Sequence, residues 1–131
     1  MSDKIKRMHQ RYLDKLISTL KANKPEEMTW KEFGTSLDFP FIRSKMSQWS
    51  KGFSLDCGTY ARLMNHFEPD SVSDMKTEVL AIVSKLRRSW TYDDISVLTG
   101  IQNMRKRTLE YSKPNRSMTV MTYCKIKAVE E

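Results

Sequence analysis

Cysteine is scarce in this sequence: Cys57 and Cys124 are the only two in 131 residues. Two distant thiols make neither a disulfide framework nor a zinc site, and they point to a reducing compartment, the cytoplasm. Both sit among apolar neighbours, with no base nearby to make either a nucleophile, and read as core thiols. Histidine is limited to His9 and His66, without Cys, Asp or Glu at ligand spacing, so both read as surface residues and no metal is expected. Four glycines and four prolines leave no glycine-rich phosphate loop. Ser, His and Asp do not assemble into a triad; no enzyme, cofactor or small-molecule ligand is expected. Apolar runs are short, none approaching the roughly 20 residues of a membrane span, and the opening MSDKIKRMHQ is charged. Neither a signal peptide nor a membrane partner is expected.

What is present is a basic, helix-forming chain. A composition of 39% hydrophobic and 30% charged residues suits one ordinary core or two small ones. The net charge of +7 and the pI near 9.5 favour a polyanionic partner. Apolar residues recur at steps of three and four, which predicts an all-α fold. A first helix runs from about Asp3 to Ala22 on the stripe Leu13, Leu16, Ile17 and Leu20, and Asn23 and Pro25 end it. Thr29, with Glu32 three residues on, reads as a capping box opening a helix that turns Trp30, Phe33 and Leu37 inward. A turn follows over 37–41, because Pro40 disfavours helix in the residue before it. The next helix carries Ile42, Met46 and Trp49 on one face and stops at Gly52. A fourth, near Asp56 to Phe67, packs with Tyr60, Leu63, Met64 and Phe67.

After a linker at 69–75 the pattern returns. Shifting the chain by 62 residues lays Thr29 and Trp30 on Thr91 and Tyr92, Arg43 and Lys45 on Arg105 and Arg107, and Trp49-Ser-Lys51 on Tyr111-Ser-Lys113. One further residue of shift lays Thr59-Tyr-Ala-Arg-Leu63 on Thr122-Tyr-Cys-Lys-Ile126. The chain thus divides into a first unit (1–68), the linker (69–75) and a second unit (76–131), as a tandem duplication. In each unit the third helix buries one face and offers solvent a basic, amide-bearing one. Arginine and glutamine make paired hydrogen bonds to guanine and adenine edges, and an α-helix fits the major groove. Lys51 and Lys113, just beyond these helices, suit phosphate contacts. A merely solvated charged face is the plain alternative for either helix taken singly. The aromatics Trp30, Trp49, Tyr60 and Phe67 are assigned to cores, which disfavours base stacking on single-stranded RNA.

The order of a helix, Thr-Trp-x-Glu-Phe-Gly-x-x-Leu, a turn, a polar helix ending Ser-Gln-Trp-Ser-Lys-Gly and then Thr-Tyr-Ala-Arg-Leu-Met resembles the helix-turn-helix domain of the lambda repressor, Cro and Xre regulators. The second unit is similar, from Leu80-Ala-Ile-Val through Thr91-Tyr-Asp-Asp-Ile-Ser to Tyr123-Cys-Lys-Ile126, so the resemblance covers most of the chain. It implies two consecutive helix-turn-helix units that bind double-stranded DNA as a transcriptional regulator of a phage, plasmid or other mobile element. It implies a small residue where the two helices of the motif approach, which Gly34 and Ser96 match. The implied base-contacting residues are Arg43, Ser44, Lys45, Ser47 and Gln48, then Asn103, Arg105, Lys106 and Arg107.

Several alternatives stay open at this level. The turn over 37–41 is about two residues longer than in the family, and the first unit lacks the turn glycine that Gly100 supplies in the second. Counting from Gly100 turns Lys106 and Leu109 inward; the internal alignment turns Thr108 and Tyr111 inward and is preferred, because it buries no lysine. Both units can bind DNA within one chain, or the second can mediate a homodimer or hold another partner, and Glu110 there opposes phosphate. The run Lys4, Lys6, Arg7 and Arg11 is either an arm on the DNA backbone or a solvated helix end. An adaptor that keeps this fold but binds an acidic protein is the competing function.

Overall fold

A computed structural model describes residues 2–130, and among them the chain is all-α, with eight helices and no strand. The helices are α1 (Asp3–Asn23), α2 (Trp30–Ser36), α3 (Ile42–Ser50), α4 (Cys57–Phe67), α5 (Met75–Leu86), α6 (Tyr92–Thr99), α7 (Met104–Tyr111) and α8 (Val120–Glu130). Four of the helix starts, those of α1, α2, α5 and α6, have side-chain caps. Ser2 accepts from Ile5 N and Asp74 from Thr77 N, satisfying amides that have no partner within the helix. Thr29 with Glu32 and Thr91 with Asp94 both close complete capping boxes.

The apolar stripes of both units feed one cluster. It runs from Leu13, Leu16 and Leu20 of α1 through Phe33, Ile42 and Trp49 to Val79, Ile95, Met104, Tyr123 and Ile126. Helix α1 has 21 residues against 12 for its counterpart α5, and the added length lets it pack on α8 as well as on α3 and α4. Residues 4–11 are helical from the Ser2 cap onward, so the basic run at the start forms a helix end and not an extended arm.

The two units meet through equivalent residues. Leu55, Asp56 and Cys57 lie antiparallel to Met118, Thr119 and Val120, bridged at the Asp56–Thr119 pair. Cys57 N donates to Met118 O at 2.8 Å, and Val120 N donates to Leu55 O at 2.8 Å. Each residue of one bond is 63 positions from its counterpart in the other, so the pairing is reciprocal and has a local two-fold axis. Tyr12 of α1 sits beside that axis, edge-on to Tyr60 at 5.3 Å and to Tyr123 at 5.8 Å, which are again equivalents.

Candidate nucleic-acid interface

The duplicated feature with chemical reach is the pair of helices α2 and α3, matched by α6 and α7. Their connections are the same shape in both units. Asp38 and Phe41 have positive φ (54° and 63°), and their equivalents Gly100 and Asn103 do too (72° and 54°). The turn therefore follows the same path in both units, with Asp38 adopting the left-handed conformation that glycine supplies in the second. At Phe41 that conformation is costly for a bulky side chain, by about 1–2 kcal/mol.

The two helices approach most closely at Gly34 and at Ser96. A Cβ on Gly34 would lie 2.7 Å from Phe39 O and 2.9 Å from Ile42 Cγ2, so only glycine fits. Ser96 solves the same approach with its hydroxyl, which accepts from Met104 N at 3.1 Å at the start of α7. Arg62 of α4 fixes the end of α2 by donating to Leu37 O at 2.8 Å, and lies 5.6 Å from the Phe39 ring centre. A cation covers the aromatic that opens α2 and the one that opens α6: Lys24 lies 5.5 Å from the Trp30 ring and Arg87 4.2 Å from the Tyr92 ring.

Burial separates the faces of α3. Ile42, Met46 and Trp49 are buried, the last only 2% exposed, while Arg43, Ser44, Lys45, Ser47, Gln48 and Lys51 are exposed. Arg43, Gln48 and Lys51 have no side-chain hydrogen bond or ion pair with the described residues. They border a groove shared with Lys31, Thr35 and Phe41, into which no carboxylate projects. A groove with Lys31, Arg43 and Lys51 on its walls is electropositive without compensation.

In α7 the buried residues are Met104 and Tyr111, while Lys106 and Leu109 are exposed, so burial follows the internal alignment rather than the count from Gly100. Thr108 takes the place of Met46, and its Oγ1 is buried without a partner. Asn103, Arg105, Lys106, Arg107 and Lys113 are all exposed. Two of them are engaged where, among the described residues, their counterparts Arg43 and Lys45 are not: Arg105 lies 5.6 Å from the Tyr92 ring centre, and Arg107 lies 3.7 Å from Glu110. The backbone carbonyl of Lys113 accepts from Lys76 Nζ at 2.7 Å.

One sequence expectation is overturned by burial. His9 is 3% exposed, and Nε2 has no partner. Burial lowers its pKa below 6.5, favouring the neutral ring. Its charged and polar neighbours in sequence concealed this, although it lies four residues before Leu13 on the apolar stripe. Both cysteines are buried, and burial raises each thiol to about 12, leaving them un-ionised. No group of three or more metal-ligand side chains occurs among the described residues, and no helix there is long and apolar enough to cross a membrane. Comparison with protein-family models, with curated proteins and with solved structures returned no match for this chain.

Proposed function

We propose that the protein binds double-stranded DNA sequence-specifically through the α2–α3 face of the first unit, as a helix-turn-helix transcriptional regulator of the phage, plasmid or mobile-element kind. The observation that carries this reading is the groove along α3: three cations, an unpaired glutamine and no carboxylate, on a helix held against its neighbour at Gly34. Arg43 has the fork geometry for guanine O6 and N7, and Gln48 the amide for adenine N6 and N7. Lys31, Lys45 and Lys51 lie around them and suit phosphates, which position the protein without reading sequence.

Selection of bound duplexes from a random library at physiological salt tests the reading. An enriched motif supports it; recovery of unbiased sequence overturns base recognition and leaves a protein partner as the object of search. On the selected site, Arg43→Ala or Gln48→Ala should cost roughly 1–3 kcal/mol, and far less on random DNA. Lys51→Ala should weaken both about equally. Equal losses from all three changes on both DNAs would count against base readout.

A further inference from the structure

The second unit keeps the backbone of the first while its outward side chains have changed character. At the positions that line the groove in the first unit, Thr35 and Ser47 are replaced by Val97 and Leu109, and Lys31 and Gln48 by Asp93 and Glu110. Val97 is 83% exposed and Leu109 61% exposed. Scattered apolar side chains on a surface need no explanation, but here both fall on one pair of helices where the other unit is polar. The changes run against DNA binding, since two carboxylates repel phosphate and an aliphatic pair offers it no donor.

We propose that this α6–α7 face joins two copies of the chain about a two-fold axis. A patch that meets itself must contain its own complement. This one has Val97 and Leu109 as an apolar centre, Asp93 and Glu110 as acids, and Arg105 and Arg107 as cations, all on α6 and α7. Across a two-fold axis each copy's arginines face the other's carboxylates while the aliphatic side chains bury one another. An acidic protein partner selects unrelieved positive charge instead, and that character belongs to the first unit. The contact goes beyond the DNA-binding reading and does not depend on it.

Sedimentation of the full chain without DNA, from about 1 to 200 μM, provides the test. The expected result is a shift from monomer to dimer mass with rising concentration. Val97→Thr combined with Leu109→Ser installs the first unit's own residues at exposed positions, and should weaken the dimer by roughly a hundredfold while leaving unchanged the thermal melt taken at the dilute, monomeric end of the range. Asp93→Lys, again the first unit's residue, should weaken it independently by placing a cation against the partner's arginines. A chain that stays monomeric to 200 μM, or a dimer unaffected by both variants, overturns the proposal. Because no DNA enters the measurement, failure here is separable from failure of base recognition.

Discussion

Phe41 is 80% exposed and has a left-handed backbone, so neither burial nor local conformation accounts for a phenylalanine there. Its equivalent in the second unit is Asn103, a residue type that tolerates that conformation. Phe41→Asn should therefore raise stability by about 1 kcal/mol, read as a higher melting temperature. An unchanged or lower midpoint would show that the backbone cost is absent. Gly34 gives the opposite case, because the atom nearest to an added Cβ is a backbone oxygen that cannot rotate away. Gly34→Ala should cost about 1–3 kcal/mol. Gly58→Ala, in α4 with nothing within 4 Å of the added carbon, should gain about 0.5–1 kcal/mol. Chemical denaturation of both variants checks the ordering. The small residues at 34 and 96 were legible in the sequence through the family resemblance. The left-handed Phe41 was not, because residue type argues against that conformation.

At the scale of the helices, α5 and α8 are tied by a polar contact inside an apolar packing. Tyr123 OH donates to Glu78 Oε2 at 2.8 Å, and Lys127 Nζ donates to Glu78 Oε1. Burial pushes the Glu78 pKa up, but the bonds from Lys127 and Tyr123 outweigh it and hold the value below 4.5. The unfolded chain then takes up the proton more readily, so this contribution is present above about pH 4.5 and is lost as pH falls through the folded value. Lys127 is raised above 10.5, chiefly by its hydrogen bond to Glu78, so its share is present below 10.5 and is lost as pH rises through the folded value. Neutral His9 adds a loss that begins as pH falls below 6.5. Thermal midpoints should be level from about pH 7 to 8.5, decline above about 9 as both buried thiols ionise only in the unfolded chain, decline below 6.5 and fall more steeply below 4.5. In Glu78→Gln the drop between pH 7 and pH 3 should shrink; an identical drop would remove Glu78 from the explanation. The helices themselves were readable from stripes and caps, since Thr29 with Glu32 and the series Ile42, Met46, Trp49 are local signals. Glu78 with Lys127 was not readable, because 49 residues separate the partners.

For the whole molecule, the shared cluster and the reciprocal bridge mean that each unit completes the other. A fragment of residues 2–68 would expose Leu55, Cys57 and the Tyr12 ring, which in the intact chain meet Val120, Met118 and Tyr123. It should lack a cooperative melt, and circular dichroism of the fragment would expose the error if it unfolds as sharply as the full chain. The recurrence of residues at a shift of 62 or 63 was visible in the sequence, whereas the antiparallel pairing of 55–57 with 118–120 was not, since three-residue segments carry no periodic signal. The same bridge bears on how such a protein can change. In a dimer of identical chains every substitution appears twice, so both halves of a binding site must alter together. Here the two-fold partner is covalently attached and separately encoded. Each half can therefore change alone, and the two faces do differ, with Lys31 and Gln48 on one side and Asp93 and Glu110 on the other.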